Sequence, residues 1–571
     1  MTDRQIEETL CGLLAGLFGV ERVEPRESFV GLGGDSIIAV QLVGAARRAG
    51  LRITVREVLT QPDVAALAAV AQPMAQRAQG PQDGVGTMRP TPIMHWLRER
   101  GGPAASYYQF TVLRTPAELT LPHAHAVLQA VLDRHDVLRL RLTEPAADPQ
   151  TLPVGAVRAE RVLTHVDAAG LDDEQCAALV EREVHAARDR LAPAEGTVVQ
   201  AVWFDAGAGR AGRLALVINH LVVDGISWRV LTGDLAQAWA AVAAGGAPRL
   251  EAVPTSFRRW SQLLTAEAAA DRRTAELPYW QEVVRPGGLG FTQRPLDAAR
   301  DHEDTARHLV LTLPTGTAAP LLTSAAERLG ADANEVLLTA LALALADWLR
   351  VGAAAGAAPV GASVLVELEG HGREEIVEQV DLSRTVGWFT TLYPARFELA
   401  GLAGGVPATV GLALRRVKEV LRRIPDKGIG YGLLRHLHPD GERLAARPEL
   451  GFNYLGRFPV ASAADWQLLP EYGARLDAPG PGMPMAHPVE LNAITLETAD
   501  GPVLHADWAW AEGVVGEEQV RGLAESWFRQ LAALVAYAEQ PAESGPVAAD
   551  LTLASIDQDE LDDLAAALEA F

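Results

Sequence analysis

Three clusters in this chain combine residue types that can do chemistry. The first is Gly33-Gly34-Asp35-Ser36. A serine hydroxyl is a point of covalent attachment, two glycines leave its approach uncrowded, and a helix start favours an attached phosphate through its free N–H groups and dipole. The same residues also read as a plain helix start in which Asp35 or Ser36 supplies the cap. The second cluster is Asn219-His220-Leu221-Val222-Val223-Asp224-Gly225. A histidine leaving a buried strand beside an aspartate and a glycine turn can be held in one tautomer facing a cleft, as a general base requires. A satisfied core histidine has the same local sequence. The third is Glu369-Gly370-His371-Gly372-Arg373-Glu374, after the strand-like VLVEL. Its glycines break the strand and free the polar groups from the ladder, and an ordinary solvated loop would look alike.

The elements around these clusters differ. Up to about residue 70 the pattern is helical, with Ile6, Leu10, Leu13, Leu14 and Leu17 on one stripe and Ile38, Leu42, Ala45 and Ala46 on a second. Two short helices follow, split at Gln61-Pro62, so a small helical bundle is expected with Ser36 at the start of its second helix. The Gln-, Gly- and Pro-rich stretch that ends at Arg89 reads as a linker. Beyond it, strand-like runs (YYQFTVLR, TVVQAVWF, RLALVINHLVV, ARHLVLTL, ASVLVEL) alternate with Ala- and Leu-rich helical stretches. That is α/β composition, and a weak break around residues 285–304 divides it into two lobes.

Longer strings narrow the reading. A small helical unit containing SFVGLGGDSIIAVQLV resembles the peptidyl carrier domains of non-ribosomal peptide synthetases. The resemblance implies that Ser36 carries covalently attached 4'-phosphopantetheine. PTPIMHW, NHLVVDGISW, EGHGREE, RTVGWFTTLYP, PDKGIGYG and FNYLGRF together resemble the epimerization domains of the same synthetases over nearly all of residues 90–555. Condensation domains share the histidine motif and the two-lobed, chloramphenicol-acetyltransferase-like fold, whereas EGHGRE, VGWFT and FNYLG point to epimerases.

The expected organisation is therefore multi-domain: an all-α four-helix carrier bundle over 1–72, a linker over 73–89, and an α/β domain with lobes at 90–300 and 301–555. An acidic tail, 556–571, reads either as a helix that docks a downstream synthetase or as a solvated terminal helix. The abrupt start at the carrier reads as an excised piece of a longer chain. Where the family has two adjacent histidines, Asn219 stands first and His220 is retained.

The resemblance and the residues meet on inversion of the α-carbon of an aminoacyl or peptidyl thioester. His220 and Glu369 are the expected proton-transfer pair, with Asn219 supporting His220 and Asp224 locking the turn. Arg373 is expected to orient Glu369 or to stabilise negative charge, and Asn453 and Tyr454 to organise the site. Implied partners are a phosphopantetheinyl transferase, an upstream adenylation domain and a downstream condensation domain. An amide-forming condensation domain and an inactive recruitment domain are the competing readings.

Composition bounds what else is possible. The 571 residues are 49% hydrophobic and 22% charged, enough for more than one core, with a formal net charge of -23. That balance speaks against nucleic acid or anionic membrane as a partner. Cys11 and Cys176 are too few for a disulfide framework, and no metal site is expected. The apolar run Val336 to Ala346 is far shorter than the roughly 20 residues a bilayer needs and reads as a buried helix. A cytoplasmic location is expected.

Overall fold

The computed structural model describes residues 2–540 except 35, 75–83, 143–147, 288–289, 291, 293, 353–361, 375, 378–379, 403–406, 460–463, 470–471, 473–480 and 499. Asp35 and the tail at 556–571 thus lie outside the described residues.

Helix α1 (Asp3–Phe18) begins at a capping box in which Thr2 Oγ1 accepts the Gln5 N–H and Gln5 Oε1 accepts the Thr2 N–H. After it come α2 (Ser36–Arg48), β1 (Leu51–Arg52), α3 (Val55–Thr60), α4 (Val64–Val70) and β2 (Gln72–Pro73). Ile6, Leu10 and Leu14, spaced four apart, meet Ile38, Leu42 and Ala46 of α2, and Val58, Val64 and Leu67 complete this separate small core. Leu13 and Leu17 are half-buried at its margin.

The stretch expected as a linker pairs at both ends. Pro73 pairs with Leu51, and β3 (Gly86–Thr87) pairs with a later strand. Apolar patterning reports side-chain burial, so two-residue strands formed by backbone groups alone leave no trace in it.

The first lobe contains α5 (Pro92–Arg100), β4 (Tyr108–Arg114), α6 (Leu121–Arg134), β5 (Leu140–Arg141), β6 (Gln150–Thr151), α7 (Ala159–Val162), β7 (Leu163–Asp167), α8 (Asp173–Asp189), β8 (Val199–Asp205), β9 (Arg213–Asn219) and α9 (Gly225–Ala243). Strand β3 joins β6 and β5 in a small sheet, and the main sheet has the order β4-β9-β8-β7. Both faces of β9 are covered. Leu214, Leu216 and Ile218 pack with α6 and α9, while Ala215 and Val217 pack with Cys176, Leu179 and Val180 of α8. Double coverage explains why this strand is a continuous apolar run rather than an alternating one.

The second lobe is built on a six-stranded sheet of β10 (Arg307–Leu313), β11 (Ser363–Gly370), β12 (Thr391–Glu398), β13 (Leu450–Pro459), β14 (Val489–Thr498) and β15 (Gly501–Trp510). Its order is β10-β15-β14-β13-β11-β12, with the β11/β13 and β13/β14 pairs parallel. Val336 to Ala346 lie in the helix Ala333–Gly352 and are buried in this lobe's core, as expected. Among the described residues no single helix is long and apolar enough to cross a membrane.

The lobes exchange chain. Ile376, Leu382, Val386, Trp388 and Phe389 pack in the first lobe's core, and Trp280 packs in the second's. Residues 466–469 add to the edge of β4, where the Trp466 N–H donates to the Arg114 carbonyl and the Leu469 N–H to the Val112 carbonyl.

Candidate active site

The expected run RLALVINHLVV does not stay extended: β9 ends at Asn219 and His220–Val222 form a tight helical turn before α9. Asn219, fully buried, makes that turn. Its Nδ2 donates to the carbonyls of Ala104 and Ala105 at 2.9 and 3.1 Å, and its Oδ1 accepts the Leu221 N–H at 3.2 Å. The side chain is thus directed into the wall that carries His220.

His220 is 5% exposed and lies between two aromatic rings, stacked on Tyr107 at 4.8 Å and tilted against Trp388 at 4.5 Å. Gln109 of β4 sets its tautomer. The Trp228 indole N–H donates to Gln109 Oε1 at 2.8 Å, which turns the amide N–H2 toward His220 Nε2 at 2.9 Å. That nitrogen therefore accepts the Gln109 N–H, which occupies its lone pair.

Asp224 joins the two lobes. It caps α9 by accepting the Ser227 N–H at 2.8 Å, and it accepts the Phe389 N–H at 3.1 Å. Arg373 Nη2 reaches its two oxygens at 3.0 and 3.2 Å. Arg373 Nη1 donates to the Leu382 and Thr385 carbonyls, and the guanidinium lies 3.8 Å from the Phe389 ring centroid. The expectation that Arg373 orients Glu369 is therefore corrected. Its terminal nitrogens are directed to Asp224, Ser227 and backbone carbonyls, because its loop folds back under the segment 382–389. Gly372 permits that fold-back: its φ is 65°, and a Cβ there would overlap the Phe389 carbonyl oxygen. Removing one partner of such a buried pair typically costs about 3–5 kcal/mol, since the other charge is left uncompensated.

Glu369 is not in a loop. It is the penultimate residue of β11, exposed, and opposite Leu392 of β12. Gly370 stays in the ladder opposite Thr391, so the strand breaks one residue later than its first glycine suggests. The segment Trp388–Leu392 thus runs from the wall of His220 to the partner of Glu369. Four extended residues span at most about 13 Å. On β13 the parallel register Leu368↔Phe452 sets Asn453 one step on, beside the Glu369 end of β11. Tyr454, half-buried, shares a 3.0 Å hydrogen bond with the Thr495 hydroxyl.

Sequence reasoning missed Tyr107, Gln109, Trp228 and Trp388, although Gln109 is a buried amide near the start of an apolar strand. It also missed a buried charge cluster behind β11. His487 Nε2 meets Glu367 at 3.0 Å and Nδ1 meets Glu490 at 3.1 Å. Burial opposes charge on His487, but these two carboxylates outweigh it and raise its pKa to about 10. Burial, reinforced by Glu490, pushes Glu303 up to about 7 even though it pairs with Arg100.

Ser36 is the first residue of α2, whose last turn is held against the α/β domain. Arg47 Nη1 donates to the Val380 carbonyl at 3.0 Å and lies 3.8 Å from Asp381. Gly44 abuts Ser383 so closely that a Cβ would overlap it, and Val40, Val43 and Val55 line the same groove. At the other end Gly33 has φ 91°, and a Cβ there would strike the Arg457 guanidinium. A helix start approached through glycine fits a covalently attached phosphate.

A family model described as the condensation domain matches residues 96–545, and one described as the phosphopantetheine attachment site matches residues 8–71. The chain is 33% identical over 585 residues to one of the linear gramicidin synthase proteins of Brevibacillus parabrevis, covering 98% of this chain and 7% of that protein. It is 32% identical over 581 residues to chondramide synthase of Chondromyces crocatus, covering 99% of this chain and 14% of that protein. These relatives are much longer than the present chain. Among solved structures, the epimerization domain from the third module of tyrocidine synthetase B is similar with a TM-score of 0.68 and 25% identity, covering 81% of this chain and 99% of that one. The first condensation domain of the calcium-dependent antibiotic synthetase, 21% identical, shares the fold with a TM-score of 0.53 over 79% of this chain and 97% of that one.

Proposed function

The chain belongs to the condensation-domain family of non-ribosomal peptide synthetases, preceded by a phosphopantetheine-attachment domain, and on that premise we propose that it epimerizes a carrier-bound substrate. The substrate is an aminoacyl or peptidyl group held as a thioester on the Ser36 arm, and the product is an L/D mixture at its α-carbon. What supports this reading is the presence of two residues able to transfer protons, His220 and Glu369, on stretches joined by one short segment. The His220 ring is held by Gln109, Tyr107 and Trp388, and the segment 388–392 connects its wall to the strand end bearing Glu369. Inversion needs a proton removed from one face and another delivered to the opposite face, whereas amide formation needs no second acid/base group.

The pantetheine arm supplies the thioester, whose carbonyl acidifies the adjacent α-proton. One of His220 and Glu369 removes that proton and the other returns one. Gln109 holds the His220 ring in one orientation, and its N–H must leave Nε2 before that nitrogen can take a proton, while Tyr107 and Trp388 exclude water from the ring. Asp224 and Arg373 act at a distance by fixing the segment 382–389 against α9. Delivery on a tether makes the encounter intramolecular. The transferase that loads Ser36, an upstream adenylation domain and a downstream condensation domain are the proposed partners.

Incubating the carrier-loaded protein in deuterated water tests the reading. Deuterium is expected at the α-carbon, and L- and D-loaded protein are expected to approach the same isomer mixture, because the two thioesters differ at one stereocentre only. Amide formation with a supplied acceptor and no exchange would make this a condensation domain. No chemistry at all would leave a recruitment role.

Asn219→His is expected to change the exchange rate only modestly. One imidazole nitrogen can accept the Leu221 N–H and the other can donate to one of the two carbonyls, so a single hydrogen bond of about 0.5–1.5 kcal/mol is lost. Exchange rates of parent and variant under the same loading check this, and activity appearing only in the variant would mean that Asn219 disables the chain.

A further inference from the structure

The last residue of α5 is a cation that neither the proton-transfer pair nor the Asp224 join uses. Arg100 is turned into the second lobe, with its side chain 7% exposed. It pairs with Glu303, and its Nε donates to the Pro484 carbonyl. Gly102, at φ 84°, lets the chain come this close, since a Cβ there would overlap the Pro484 ring. The same guanidinium lies 5.3 Å from the Trp96 ring centroid and 5.9 Å from that of Tyr107. Tyr107 stacks on His220, and Trp96 meets edge-on the Trp388 ring that tilts against His220. One buried cation thus touches one of the two rings that enclose the imidazole and the neighbour of the other.

We propose that Arg100 is a positioning residue for His220, held on Tyr107 and Trp96 by Glu303 and the Pro484 carbonyl of the second lobe. This rests on the reading of His220 as a proton-transfer group, and it adds a second, charge-dependent join between the lobes. A desolvated guanidinium against aromatic rings holds them electrostatically. The charges that face Glu303 are Arg100, Glu490 and His487, with Glu367 on the other ring nitrogen of His487. Its chain neighbours are engaged elsewhere: Asp301 pairs with Arg294, and Asp304 accepts the Gly482 N–H. On α5, Arg98 is exposed and Glu99 pairs with Arg435 and His436. Burial first and Glu490 second bring Glu303 to about 7, so it gains its charge, and with it the full hold on Arg100, as pH rises through neutrality.

The test uses the full chain. Histidine-selective NMR reads the ring before any loading, with His220 assigned by the signal that His220→Ala removes. Arg100→Gln is expected to move that signal, and Arg100→Lys to leave it nearer the parent position. Glu303→Gln keeps the size of the side chain and cannot ionise. Its His220 signal is expected to agree with the parent's well below pH 7 and to separate from it above, a difference in which the ring's own titration, common to both chains, cancels. In loaded protein, Arg100→Gln is expected to slow L/D conversion about 10-fold, the scale of one desolvated cation–ring contact, with loading of Ser36 unchanged. The ratio of parent to Glu303→Gln rates is expected to rise through the same pH range, whereas a merely structural part would hold that ratio constant. Glu303→Gln also keeps the test independent of how well the Arg100→Gln chain folds. A His220 signal that folded Arg100→Gln leaves in place, or parent and Glu303→Gln chains that differ by the same amount at every pH, overturns the proposal. A His220 signal that follows Glu303 in a chain that never exchanges deuterium would sink epimerization alone, and exchange with a signal indifferent to both substitutions would sink only this role of Arg100.

Discussion

His220→Ala and Glu369→Gln are each expected to slow conversion between L- and D-loaded protein by about 10²–10⁴-fold, the usual contribution of a positioned general acid or base. The two substitutions stress the fold differently. Glu369 is exposed at the end of β11, and Gln keeps its size and its backbone pairing with Leu392, so a loss there reports on the carboxylate. His220 is buried between Tyr107 and Trp388, and Ala leaves a gap as well as an amide of Gln109 without its acceptor. Circular dichroism and melting of that variant therefore accompany the kinetics. Deuterium uptake from each starting isomer divides the roles: the variant that loses exchange from L-loaded protein more than from D-loaded protein has lost the group serving the L face. Parent-rate conversion by both variants would remove the pair from the mechanism.

Ser36→Ala is expected to abolish loading altogether, because the hydroxyl is the sole atom at which the arm is attached. The fold should survive. Alanine is the best helix former, and the core of the carrier is made by Leu10, Leu14, Ile38 and Leu42 rather than by this residue. Intact-mass spectrometry after treatment with coenzyme A and a transferase gives the result. A pantetheine-sized increase persisting in the Ser36→Ala variant would move the attachment elsewhere. The same variant is expected to abolish deuterium exchange in the loading assay, since no thioester can be presented.

Some of the architecture was legible because its cause is local. The stripe Ile6, Leu10, Leu14 and its counterpart Ile38, Leu42, Ala46 lie at helical spacing, and all six are buried in the carrier core. The helix holding Val336 to Ala346 was equally plain from its unbroken apolar run. Errors came where backbone pairing and side-chain pattern part company. The glycines after Glu369 do end the strand, but Gly370 still pairs with Thr391 and keeps β11 extended through Glu369, so the left-handed turn comes only at Gly372. The two-residue strands at the ends of the expected linker have no apolar signature at all.

By itself the amino-acid order determined the local chemistry: a serine at a helix start after two glycines, a histidine where a buried strand ends, and an acid beside glycines at another strand end. Each of these depends on residues within a few positions, and so does the motif that carries it. Only the tertiary structure decided what those groups face. Gln109 lies 111 residues from the imidazole it orients, and the Arg373–Asp224 pair spans 149. The Phe389 N–H that completes the Asp224 site comes from 165 residues away. A buried carboxylate or guanidinium takes whichever partner the packed chain brings within about 3 Å, and no spacing along the sequence encodes that choice. For the same reason Arg373, four residues from Glu369, acts on the join between the lobes instead.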